Sequence, residues 1–280
     1  MRRLMIIAIT LLWLGCKSDP PANGDGGVDG GGDAAPSVDA MLPPGCTAPD
    51  PSRSKCSNCI DDDQDGAIDS FDIECTMPLD QDESSFALGI PVDLVDPVHL
   101  DCFFDVNTSP TNDGCQIHVC CLLGAASRTQ CPIGASQYNP NQCPPPTGNT
   151  QLSQMCLGTC GPLTLPGCDC FGCCTICDPA TNQCHDVEIA PDVSPGCEPE
   201  SFADLNLCKR CMKATDCGHT ACGGTSCILC PGQDPSDLPA SCNGAPACPA
   251  GTTSCANGAA CPQGTYCHAA SQCCIGAISL

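Results

Sequence analysis

Apolar residues crowd into one stretch of this chain and are sparse everywhere else. After Met1-Arg2-Arg3, a mainly apolar run extends from Leu4 to Gly15. A charged start followed by an apolar segment too short to span a bilayer predicts a signal peptide over residues 1–15. From Lys17 to Gly45 the chain is rich in Gly, Asp, Pro and Ala, with no apolar period. That composition cannot bury a core and predicts a disordered tether; as a flexible coil it reaches roughly 30 Å. Beyond it no stripe at helical spacing appears, and the strand signals are short. Residues 90–95 and 116–123 are the most strand-like, with turn chemistry between them at Asn112-Asp113-Gly114. Pro91 and Pro97 make the first an edge strand at best. Pro144-Pro145-Pro146 with Thr147-Gly148-Asn149 reads as a hinge.

Near the C-terminus, the segment Cys248 to Cys255 is echoed by Cys261 to Cys267, and Cys273-Cys274 completes a knot-like unit. Pro and Gly at matched offsets there specify turns rather than helices. The predicted organisation is a signal peptide (1–15), Cys16 with the tether (16–45), and four modules at 46–85, 86–145, 146–242 and 243–280. The fold class expected is small disulfide-rich modules, mainly irregular with short β-strands, behind the disordered tether.

Composition explains how such a chain folds at all. Leu, Ile, Val and Phe make up under a fifth of the residues from Cys16 on, and the sole Trp, Trp13, lies in the leader. So little apolar surface with so much net charge normally means disorder. The 33 cysteines in 280 residues reverse that expectation. Each bridge contributes ~2–4 kcal/mol, largely by restricting the unfolded chain, and small modules with thin cores fold by this route. Such density implies an oxidising compartment. Adjacent pairs (Cys120/Cys121, Cys173/Cys174, Cys273/Cys274) are expected to reach two different partners, since bridging neighbours is strained. The formal charge of −23 makes nucleic acid and anionic lipid poor partners and divalent cations good ones.

The leader ends in Trp13-Leu14-Gly15-Cys16, which resembles a bacterial lipobox. The resemblance implies acylation of Cys16, a lipid anchor in the membrane, and, from Lys17 at the next position, an outer-membrane or cell-surface address. Trp13 departs from the usual Leu, and an ordinary secretory leader cut elsewhere is the alternative. Removing Cys16 leaves 32 cysteines, an even number able to pair completely.

The sharpest motif runs from Asp61 to Asp72. With Asp61 as position 1, carboxylates fall at 1, 3, 5, 9 and 12 (Asp61, Asp63, Asp65, Asp69, Asp72), Gly66 at 6 and Ile68 at 8. This is the spacing of a twelve-residue EF-hand-type calcium loop. A hard cation takes six to eight oxygens at ~2.3–2.6 Å. Alternating Asp side chains supply them from one side of a tight loop, and the Ala67 carbonyl adds another. Asp72 is shorter than the Glu usual at position 12, and cysteines rather than amphipathic helices flank the loop. A solvated acidic turn is the alternative. A free-standing extracellular loop of this kind implies weak affinity, Kd of order 10⁻⁴–10⁻³ M. Asp80, Asp82 and Glu83 are candidates to complete the shell or start a second site.

Cys208/Cys211 and Cys227/Cys230 have zinc-ribbon spacing, but Cys217 and Cys222 interrupt the interval and an oxidised chain offers few thiolates. Disulfides are the favoured reading and zinc the lesser one. Cys56/Cys59, Cys170/Cys173 and Cys174/Cys177 have redox spacing without the helix a redox site opens. His99, His118, His185, His219 and His268 are scattered, and no nucleophile elbow or HExxH pair exists. A non-enzymatic protein is expected.

The segment from Cys56 through Asp61–Asp69 to Glu74-Cys75 resembles the Cys-bracketed, Asp-rich calcium modules, EF-hand-like or dockerin-like, of surface lipoproteins of predatory soil bacteria. The ending Cys261 to Cys274 looks like the small Cys-rich modules those proteins also carry. The resemblance implies surface location and calcium. The expected role is a structural or adhesive module contacting extracellular protein or polysaccharide. The competing role is a ligand-binding or protease-inhibitor-like knot at the C-terminus, and a zinc-binding protein is third.

Overall fold

The computed structural model describes residues 48–88, 94–96, 98–105, 113–218, 221–242, 246–262, 265–268 and 271–276. The expected leader, Cys16 and tether, and the first part of the strand expected at 90–95, lie outside the described residues. What regular structure forms is short and antiparallel. β1 (Leu94–Asp96), β2 (His99–Leu100) and β3 (Ile117–His118) pair in that order. β4 (Cys173–Cys177) pairs with β5 (Cys184–Glu188), and β6 (Thr265–His268) with β7 (Cys273–Gly276). The chain is therefore small, mostly irregular and disulfide-rich, as its composition predicts.

The β4–β5 hairpin shows why these strands form where they do. Asp178 accepts hydrogen bonds from the Ala180 amide (2.8 Å) and the Thr181 hydroxyl (2.6 Å), a local turn device of Asp. Asn182 takes φ +52°, which Asn tolerates. Cys177 and Cys184 then face each other in register and are themselves bridged. Asp169, wholly buried, lashes the entry to this hairpin. Its carboxylate accepts from the amides of Phe171 (2.9 Å), Cys173 (3.0 Å) and Ala214 (2.8 Å). Beside it Glu188 is equally buried; one oxygen accepts from the Ala190 amide at 3.3 Å and the other has no partner among the described residues.

Fifteen bridges join described cysteines, and Cys59 is bonded as well. The adjacent pairs do part company: Cys120 goes to Cys131 and Cys121 to Cys143, Cys173 to Cys211 and Cys174 to Cys168, Cys273 to Cys248 and Cys274 to Cys261. One buried cluster runs from Met77 to Cys217 and mixes half-cystines with Phe86, Phe104, Tyr138, Phe171 and Ile176. Cys102–Cys160 and Cys115–Cys156 cross the expected division at 145/146, so those two stretches share an interior. The last six cysteines, Cys248 to Cys274, pair only among themselves, and β6 packs against the turn at Asp69–Phe71.

Two expectations of local structure change. The strand expected over 116–123 stops at His118 and becomes the helical turn α1 (Val119–Leu122), with the Cys120 amide bonded to the His118 ring. A strand would send Cys120 and Cys121 to opposite faces; the helical turn buries both, at 0% and 2% exposure. The segment read as a hinge is a tied turn. The amides of Thr147 and Gly148 both bond the Pro144 carbonyl, and Thr215 donates to that of Pro145. A Cβ on Gly148 would lie 2.2 Å from the Cys143 carbonyl oxygen, so the close approach requires glycine. A second short helix, α2 (Gln154–Thr159), is capped by the Ser153 hydroxyl, which accepts from Cys156.

Candidate metal centre

The acidic loop is closed at its base by Cys56–Cys75, Cα atoms 5.5 Å apart. Inside it, each early Asp bends the backbone around itself. Asp61 accepts from the amides of Gln64 (2.5 Å) and Gly66 (3.1 Å), Asp63 from Asp65 (3.1 Å), and Asp65 from Ala67 (2.7 Å). Gly66 sits at φ +103°, open to glycine and costly to other residues, and Ile68 is buried as the anchor. The result draws one oxygen of each of Asp61, Asp63 and Asp65 within 4.8 Å of the others.

The second half of the loop departs from the twelve-residue count. Asp69 is almost fully buried at φ +50°, and its carboxylate accepts from the amides of Asn58 (3.0 Å) and Cys59 (3.0 Å to one oxygen, 3.1 Å to the other). It acts as a latch for the loop base. Glu83 reinforces the latch, accepting from Asp62 (2.6 Å) and Asp69 (2.7 Å). Ala67 offers its amide to Asp65.

Asp72 lies beside Glu74 rather than alone. One Asp72 oxygen accepts from the Glu74 amide at 2.8 Å, and the buried side chains of Asp72 and Glu74 lie in hydrogen-bonding contact with each other, two acceptors that need a proton or a cation between them. Burial, then its contact with the Glu74 side chain and the charges of Glu74 and Asp65, push the Asp72 carboxyl up to about 9. Burial also raises Glu74, with Asp65 and Asp63 adding their negative charge. Asp65 thus acts on both Asp72 and Glu74, and Asp63 on Glu74, which links the early loop carboxylates to the buried pair. Glu74 lies two residues beyond the twelve-residue count, which ends at Asp72. The bracketing Cys75 was the available signal, since its bridge fixes residue 74 at the loop mouth.

This arrangement suits a hard cation. Every group is a carboxylate oxygen, and the nearby Cys75 sulfur is consumed in its bridge, leaving no soft ligand. The other acidic residues are occupied locally. Asp80 accepts from the Thr76 hydroxyl (3.1 Å) and the Asp82 amide (3.0 Å); Asp82 accepts from Ser84 and Ser85. Burial holds Asp80 well above, and Glu83 at about 7 against, their ordinary range. The zinc-spaced cysteines are not brought together as thiolates. Cys208 is bridged to Cys197, Cys211 to Cys173, Cys227 to Cys242 and Cys230 to Cys222. None of the redox-spaced pairs bridges internally.

Comparison with protein families, with curated proteins and with solved structures finds nothing that matches this chain.

Proposed function

We propose that the chain is an exported, membrane-anchored lipoprotein, acylated at Cys16, whose disulfide-braced body takes calcium in the 61–74 loop and serves a structural or adhesive role rather than catalysis. The observation that carries the calcium part is the buried Asp72–Glu74 carboxyl pair, two acceptors in contact, set within reach of the charges of Asp63 and Asp65. Buried charge without a counter-charge costs several kcal/mol, and a dication beside these carboxylates offsets that cost. The anchor is supported by arithmetic. An odd count of 33 leaves one cysteine over, and every described cysteine is bonded, so the one left over is Cys16 or Cys46.

Mass spectrometry of the intact protein from its host, under native and denaturing conditions, tests the reading. The expected result is a triacyl or diacyl mass on Cys16, no free thiol and bound calcium lost to EDTA. A free Cys16 thiol refutes the anchor; a native mass free of metal in millimolar calcium refutes the site.

A further inference from the structure

The histidines are scattered along the sequence, but the fold brings two of them together. β2 and β3 pair with His99 opposite His118, and the two rings meet edge to face with centroids 5.2 Å apart. His118 is buried where β3 ends and α1 begins.

Both ring nitrogens of His118 are in use. Nδ1 accepts from the Cys120 amide at 3.2 Å, and Nε2 lies 3.2 Å from the Gly134 carbonyl oxygen. A backbone amide only donates and a carbonyl oxygen only accepts. Nδ1 therefore carries its lone pair and Nε2 its proton, which is one tautomer of the neutral ring. That tautomer caps α1, supplying the acceptor that the first turn of a helix lacks. A second proton has only Nδ1 to go to, where it meets the Cys120 N–H. The cap is then lost, and a buried amide is left without its acceptor, an unfavourable state.

The groups packed around the ring do not offset that loss. From β2 comes the His99 imidazole, which adds like charge across the strand pair when it is protonated. Asp96 stands opposite His99 on β1, one strand farther from His118. From the segment after α1 comes the Tyr138 ring, with centroids 4.9 Å apart. Its hydroxyl donates to the Ala125 carbonyl, and Arg128 donates to the Tyr138 carbonyl at 2.7 Å. The Cys120–Cys131 bridge closes the remaining side.

We propose that His118 is an acid-released clasp. Neutral, it caps α1 and ties it to Gly134; protonated, it lets the turn that carries Cys120 and Cys121 open. Their bridges to Cys131 and Cys143 persist, so the opening is local and reverses when the pH returns.

The open turn takes up its proton at the ordinary imidazole value of about 6.5, and the closed turn resists it. Opening therefore rises by up to about tenfold for each pH unit below that value. Asp169 and Glu188 move the stability of the whole body the other way, since burial makes both hold protons in the folded chain, so local and global opening are separable by sign.

Amide hydrogen exchange of the oxidised full-length protein in EDTA, followed by NMR from neutral to mildly acid pH and corrected for the intrinsic rate, tests the clasp. His118→Asn is measured alongside, because Asn caps a helix without titrating. The expected result is protection of the Cys120 amide that falls with acid in wild type, while β4 and β5 hold theirs, and that stays level in the variant. Level protection in wild type, or the same fall in the variant, overturns the proposal. Where the variant does not reach its native bridges, the nitrogen shifts of the wild-type ring decide. A neutral ring with its proton on Nε2, titrating below about 6.5, is expected; a proton on Nδ1 of the neutral ring, or titration at or above that value, overturns the clasp.

Discussion

Replacing Glu74 by Gln reverses its effect on stability according to the cation present. In EDTA, wild type holds the buried Glu74 carboxyl against that of Asp72, two acceptors in contact. The Gln amide donates into that pocket and removes one negative charge. Relieving an unmade buried acceptor is worth ~1–2 kcal/mol. In calcium the sign changes, because the variant has lost a ligand. With Kd of order 10⁻⁴–10⁻³ M, about 10 mM calcium stabilises wild type by about 1.4–2.7 kcal/mol through linkage. For a body of this size each kcal/mol moves the midpoint by ~2–4 °C, so wild type gains about 3–11 °C. The assay is thermal unfolding in a fixed urea concentration, bridges intact, for both proteins in EDTA and in calcium. The melting curves of variant and wild type exchange order between the two buffers. A variant below wild type in both buffers makes Glu74 an ordinary packing residue, and a wild type indifferent to calcium removes the ion altogether.

Asp169→Ala strips the acceptor from three buried amides at 2.8–3.0 Å. At ~1–3 kcal/mol each it costs about 3–9 kcal/mol in urea unfolding, and a loss below about 1 kcal/mol would show that the lash is not used. The same region sets a pH dependence. Burial raises Asp169 to about 6 despite those three amides, and burial with the charge of Asp169 raises Glu188 well above its ordinary range. Both groups hold protons in the folded chain that they release when unfolded, so stability is greatest at acid pH and falls as pH rises from about 4 through about 6 and beyond. In EDTA the urea midpoint declines across that window, and Glu188→Gln, which cannot ionise, flattens the decline; parallel pH curves for the two proteins refute the assignment.

The oxidised frame was legible because composition decides it: fewer than a fifth strongly apolar residues and 33 cysteines admit few other solutions. The parting of Cys120 from Cys121 and of Cys173 from Cys174 followed from ring strain alone. Which cysteine each would meet was not legible, since pairing is set by distance in space. The loop illustrates the same limit. Counting along the chain identified Asp61, Asp63 and Asp65, whose carboxylates act on their own turn. It carries no sign that the Asn58 and Cys59 amides draw Asp69 inward, or that Glu74 lies against Asp72. The helical turn at Val119–Leu122 overrode β-branched propensity because two neighbouring sulfurs had to be buried together.

The bridging pattern bears on how the chain acquires its shape. Of the fifteen bridges between described cysteines, Cys177–Cys184 and Cys197–Cys208 join cysteines that are consecutive in the chain. Cys102 meets Cys115 first as the polypeptide emerges, yet its native mate is Cys160. An oxidase that joins thiols in order of arrival therefore writes mostly wrong pairs. The cell that makes this protein needs an isomerase to shuffle them, and yield on expression will track that enzyme more than the oxidant.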